Sequence, residues 1–247
     1  MPRYFLEVAY KGTRYSGFQV QQNAVTIQSE IEKAFNILHR RPLLLTGSSR
    51  TDAGVHALQN YFHFDDEEGL NGQFLYKMNA ILPDDIVIKA LHIMQAGAHC
   101  RFDAVSREYE YRIYRSKNPF LKGIAMYYPY KLNREAMQVA ANEVLKQTHF
   151  FAFSKSNTQV TNFNCRIIKS SWIETEEVSI YTIEANRFLR GMVRMLTASI
   201  LQVGRGRLSV DEFSDYFKAP FQKSTYLVPP DGLFLKNVNY PLNFFNK

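Results

Sequence analysis

Stretches of alternating apolar and polar residues are interleaved along the chain with stretches at helical spacing. Residues 3–9 (Arg-Tyr-Phe-Leu-Glu-Val-Ala) are rich in strand formers and end at Lys11-Gly12, which predicts a strand closed by a turn. From Thr26 the spacing changes: Ile27, Ile31, Ala34, Phe35 and Leu38 fall on one face, predicting a helix capped by Thr26. Leu43–Thr46 and Leu58–Phe64 read as strands on either side of a polar loop. Asp65-Asp66-Glu67-Glu68-Gly69 is expected to be a solvated acidic turn. A helix around Gln73–Ala80 leads through Leu82-Pro83-Asp84-Asp85 to an apolar strand, Ile86–Ile93.

The second half repeats the order of strand, helix and further strands. Tyr109, Tyr111 and Ile113 alternate with Glu110, Arg112 and Tyr114, the period of two that marks a strand over 107–114. A helix is predicted over 132–147, a polar loop over 154–164, and strands over 165–174 and 178–186. In the next stretch Phe188, Met192, Met195, Leu196, Ser199, Ile200 and Val203 form a helical apolar stripe. Arg187, Arg190 and Arg194, three and four residues apart, are then expected along one side of that helix. The fold class is α+β: two similar halves, 1–104 and 105–247, each with an antiparallel sheet.

Charge sharpens this division. The net charge is +7, but residues 1–104 carry −1 and residues 105–247 carry +8. A basic second half suits an anionic partner, with nucleic acid foremost. The two cysteines, Cys100 and Cys165, lack the spacing of a disulfide framework and point to a reducing compartment. The histidines show no metal-site spacing, so no metal is expected. No long apolar run exists, so neither a signal peptide nor a transmembrane helix is expected, and the cytoplasm is the expected location.

Candidate chemistry centres on Arg50-Thr51-Asp52-Ala53-Gly54-Val55-His56-Ala57. One carboxylate stands beside one cation, and Gly54 occupies a place where the backbone is expected to need a positive φ. Taken alone, an Asp in a strand-to-strand loop more often makes a turn than a reaction. Tyr109, taken alone, reads as an aromatic on the core face of a strand. Arg194, flanked by Val193, Met195 and Leu196, is expected to be semi-buried and to need a carboxylate partner.

The octet resembles Gly-Arg-Thr-Asp-Ala-Gly-Val-His, the signature of the TruA family of tRNA pseudouridine synthases, with Ser49 in place of the glycine. Similar segments run along nearly the whole chain. Tyr10-Lys11-Gly12…Gly17-Phe18-Gln19-Val20-Gln21 resembles Tyr-Asp-Gly…Gly-Trp-Gln-x-Gln, with Lys11 for Asp and Phe18 for Trp. His99-Cys100-Arg101-Phe102-Asp103-Ala104 resembles His-Ala-Arg-Phe-Ser-Ala. Arg107-Glu108-Tyr109-Glu110-Tyr111 resembles Arg-x-Tyr-x-Tyr, and Phe188 through Arg194 resembles Phe-x-x-x-Met-Val-Arg. Pro229-Pro230-Asp231-Gly232-Leu233-Phe234-Leu235 matches as well.

The resemblance implies a pseudouridine synthase fold whose two sheets meet at a central active-site cleft. It implies Asp52 as catalytic carboxylate, Tyr109 in the active site, and Arg194 as the partner of Asp52. Arg50, His56, Gln19, Gln21 and Arg101 are then candidate RNA contacts. The substrate would be uridine at positions 38, 39 and 40 of the tRNA anticodon arm, and the protein a homodimer with no cofactor. Two other readings are open at this stage. A non-catalytic RNA-binding module would use the strand tyrosines as stacking platforms. A glycoside hydrolase or nucleosidase would want two working carboxylates, and only one loop carboxylate has catalytic character.

Overall fold

The computed structural model describes residues 1–70, 72–156, 160–218 and 223–245. The chain forms two compact units, one of Met1–Val105 with the chain from Phe234 onward, the other of Ser106–Leu233. The first boundary falls where the charge balance changes. The second corrects the expected division: the tail leaves the basic half and joins the first unit, a pairing that no local pattern encodes.

In the first unit, β1 (Arg3–Tyr10) lies between β3 (His56–Asp65) and β4 (Ile86–Met94) and is antiparallel to both. The short β2 (Thr46–Gly47) joins β3 antiparallel, and β9 (Leu233–Asn239) joins it parallel, with His56 opposite Phe234. The sheets are therefore mixed rather than purely antiparallel. Helix α1 (Ile27–His39) starts at a capping box in which the Thr26 side chain accepts the Ser29 N–H and the Ser29 hydroxyl accepts the Thr26 N–H. Its buried Phe35 meets Phe64 of β3 and Phe74 of α2 (Phe74–Ile81) edge-on, both at 6.2 Å. Leu43 and Leu45 are buried on either side of exposed Leu44, but only Thr46 and Gly47 pair as a strand.

The acidic turn also differs from expectation. Asp66 is buried, pairs with Arg41, and accepts the N–H groups of Glu68 and Gly69. It acts as a turn-forming side chain, because a carboxylate that caps its own following amides is stabilised by folding inward.

In the second unit, β8 (Ser179–Ala185) lies between β5 (Ser106–Tyr114) and β7 (Ile167–Glu174), antiparallel to both, and β6 (Met126–Tyr127) joins β5 parallel. Both faces of β5 are covered. Tyr109, Tyr111 and Ile113 are buried on one face; Glu108 and Glu110 are buried on the other, with Lys169 and Arg112 as counter-ions. Helix α3 (Arg134–Lys146) packs against α4 (Met192–Gly204) at Gly204, where a Cβ would come within 2.6 Å of Met137. Helix α5 (Val210–Lys218) follows and buries Phe213; it was not expected, although Ser209 and Glu212 form a capping box at its start. The polar loop expected over 154–164 runs partly through residues 157–159, which lie outside the described residues. No helix among the described residues is long and apolar enough to cross a membrane.

Candidate active site

The loop between β2 and β3 carries Asp52, which is half-buried, beside exposed Arg50. The backbone around Asp52 is held at nearly every residue. Thr51 O accepts the Phe18 N–H at 3.2 Å, Asp52 O accepts the Val55 N–H at 3.1 Å, and Tyr15 O accepts the Gly54 N–H at 3.3 Å. The Tyr10 and Thr51 hydroxyls lie 2.8 Å apart in a buried setting. Asn60 Nδ2 donates to Ser49 O at 2.8 Å. Gly54 has φ +79, as the sequence led one to expect. Among the described non-glycine residues positive φ occurs only at Asn23, Arg40 and Asn243, so Ser49 occupies the family's glycine position without that strain.

The segment from Tyr10 to Phe18 supplies most of this grip. It lies so close to the loop that a Cβ on Gly12 would sit 2.0 Å from Val55 O. That approach is open only to glycine. Phe18 anchors the segment by stacking on Phe62 at 4.3 Å, in space left by Gly47. Burying such a ring contributes about 2–3 kcal/mol. His56 is itself buried; its Nδ1 accepts the Gly12 N–H at 3.0 Å, and its ring stacks on Phe234 at 4.5 Å.

The remaining candidates of the first unit are surface residues. Gln19, Gln21 and Arg101 are exposed, and Gln21 Nε2 donates to Ser16 O at 2.7 Å. Sequence reasoning passed over Tyr15 and Asp85. The Asp85 carboxylate accepts a hydrogen bond from the Tyr15 hydroxyl and another, at 2.7 Å, from Arg14 Nε. Read linearly, Asp85 was only part of a turn ahead of β4.

Elsewhere in the same unit, His63, His99 and Cys100 bring donor atoms within 4.8 Å of one another. His99 Nδ1 accepts the N–H groups of Arg101 at 3.1 Å and Phe102 at 3.4 Å. That fixes the ring proton on Nε2, so this nitrogen is not offered as a lone pair. The group reads as a hydrogen-bond network, with His63 Nδ1 3.1 Å from Cys100 Sγ.

In the second unit Tyr109 is buried opposite Ile183, and its ring meets Phe188 edge-on at 5.1 Å. Arg194 lies in the first turn of α4, half-buried, with Nε donating to Val228 O at 2.8 Å. The segment after Val228 runs past Tyr111, whose hydroxyl donates to Pro229 O at 2.8 Å. Burial, with Asp231 adding to it, pushes the Tyr111 phenol well up. The expected alignment of Arg187, Arg190 and Arg194 on one side of a helix is corrected here. Gly191 takes φ +76 and α4 begins at Met192, so Arg187 and Arg190 lie in the loop before it. The same break frees Phe188 to reach Tyr109.

Both units thus hold residues of one RNA-modification signature in well-braced settings. Residues 144–241 match the family model described as tRNA pseudouridine synthase. The tRNA pseudouridine synthase A of Parabacteroides distasonis is 40% identical over 99% of this chain and 98% of its own. That of Porphyromonas gingivalis is 38% identical over 99% and 100%, and that of a Staphylococcus aureus strain 34% over 96% and 90%. The chain belongs to the tRNA pseudouridine synthase A family.

Proposed function

We propose that this protein isomerises uridine to pseudouridine at positions 38, 39 and 40 of the tRNA anticodon arm, with Asp52 as the catalytic carboxylate. The reaction breaks the C1′–N1 bond, turns the uracil and joins C1′ to C5; the C5 proton leaves and N1 takes one up. Substrate and product are isomers, so neither a redox carrier nor an energy source enters the balance. The observation that carries this reading is the Asp52 loop: a carboxylate that reaches solvent from a backbone clamped at Thr51, Asp52, Gly54 and Val55. Such preorganisation costs nothing at the moment of reaction.

The other roles follow the family resemblance. Tyr109 stacks on the detached uracil, and its phenol assists the proton at C5. Arg194, as the resemblance implies, is the counter-ion of Asp52. The target base is flipped out of its stack at a cost of about a few kcal/mol. Arg50, exposed beside Asp52, fills the gap with its guanidinium plane. Gln19, Gln21 and Arg101 contact the RNA from the surface, whereas buried His56 braces the loop. The working form is a cytoplasmic homodimer; the buried thiols of Cys100 and Cys165, which form no disulfide, suit a reducing compartment.

Nucleoside analysis after incubation with anticodon-arm RNA tests this reading. Pseudouridine is the expected product. Free uracil would indicate a hydrolase, and unaltered uridine a binding module.

A further inference from the structure

Asp85 begins the approach to β4 and is remote in sequence from Asp52, yet it holds the segment that holds the catalytic loop. Its backbone O accepts the Lys11 N–H at 2.9 Å. Its carboxylate accepts both the Tyr15 hydroxyl and Arg14 Nε. These three contacts fix the segment from Lys11 to Tyr15 at both ends. From there the backbone of the segment grips the loop: Tyr15 O takes the Gly54 N–H at 3.3 Å, and the Gly12 N–H reaches the His56 side chain at Nδ1, 3.0 Å away.

The two carboxylate contacts differ in kind. Arg14 is two-thirds exposed, so its ion pair is solvated and contributes little. Tyr15 is 5% exposed, and its hydroxyl finds in Asp85 the acceptor that a buried phenol needs. Without that acceptor the ring loses the bond that sets its depth, and the Tyr15 carbonyl moves with it. Asp52 is two residues from Gly54, so a shift there is delivered to the carboxylate. Reaction rates are steep in such displacements.

We propose that Asp85 is a positioning residue for Asp52, acting through the Tyr15 hydroxyl and the Tyr15 carbonyl. The inference rests on Asp52 being the catalytic carboxylate. It assigns Asp85 no contact with the uridine and gives the Arg14 ion pair no part in the effect.

Four variants separate the contacts. Tyr15→Phe and Asp85→Ala each break the phenol bond, and each is expected to lower kcat about 10-fold while KM for tRNA changes less than about 2-fold. The double variant should be no worse than the poorer single one, because both remove one contact. Asp85→Asn keeps an oxygen for the Tyr15 hydroxyl and should restore kcat to within about 3-fold of the parent; Arg14→Gln should match the parent. Amide exchange at Gly54 and Val55 should quicken in Tyr15→Phe and Asp85→Ala only. Full kcat in Tyr15→Phe, losses that multiply, a loss confined to KM, or unchanged exchange would each overturn the proposal. Should Asp85→Ala fail to fold, Tyr15→Phe and Asp85→Asn still decide it. A parent protein that makes no pseudouridine would remove the catalytic reading, while the exchange rates would still report on the tie between Asp85 and the loop.

Discussion

The hydroxyls of Tyr10 and Thr51 lie 2.8 Å apart in the core of the first unit, one residue before Asp52. Tyr10 ends β1, so this bond ties the loop to a central strand. Tyr10→Phe leaves Thr51 Oγ1 without that partner in a buried place, which costs about 1–3 kcal/mol. A urea unfolding midpoint lowered to match, together with reduced turnover, is the expected outcome. An unchanged midpoint would place no weight on the bond.

A second prediction concerns acid stability. Burial first, then repulsion from His99 and Arg3, lowers the His63 pKa from 6.5 to about 4. The unfolded chain therefore binds the proton more readily than the folded one between those values. Stability should be full above the unfolded pKa and fall as the pH drops toward the folded one, by about 2–3 kcal/mol. Unfolding free energies of the parent and His63→Gln across this range check it. The variant should lose that part of the slope, and parallel curves would contradict the assignment.

The charge asymmetry gives a third. Affinity for tRNA should fall steeply and linearly with log salt, since the +8 of residues 105–247 acts by releasing counterions. Neutralising Arg187 or Arg190 should reduce the slope by about one each while leaving turnover at saturating tRNA intact. A flat salt dependence would contradict the role given to the basic half.

Much of this molecule was legible from local pattern. Period-two alternation marked β5, and Thr26 announced the start of α1, because both signals reside in a few neighbouring residues. What was not legible depends on distant partners. The parallel pairing of β9 with β3 is settled by His56 and Phe234, far apart in the chain. Three arginines at helical spacing misled because Gly191, with φ +76, starts the helix later than the spacing suggests. Asp66 was read as solvated since its partner, Arg41, precedes it by 25 residues. At the site, the signature residues could be named from the sequence, but the Asp85–Tyr15 tie could not.

Tyr109→Phe keeps the ring against Phe188 and removes only the phenol. Binding of tRNA should survive while turnover falls by about 10²-fold, the scale of lost proton-transfer assistance. Full activity in this variant would reduce Tyr109 to packing or stacking.

The central claim, that Asp52 drives an isomerisation at uracil C5, is tested most directly with tRNA tritiated at that carbon. Joining C1′ to C5 obliges the C5 hydrogen to leave. The protein should therefore release tritium to water in step with pseudouridine formation, with no metal or nucleotide added. Asp52→Asn keeps the shape and the bound tRNA but removes the carboxylate, and it should release none above background. Undiminished release from Asp52→Asn would contradict the account.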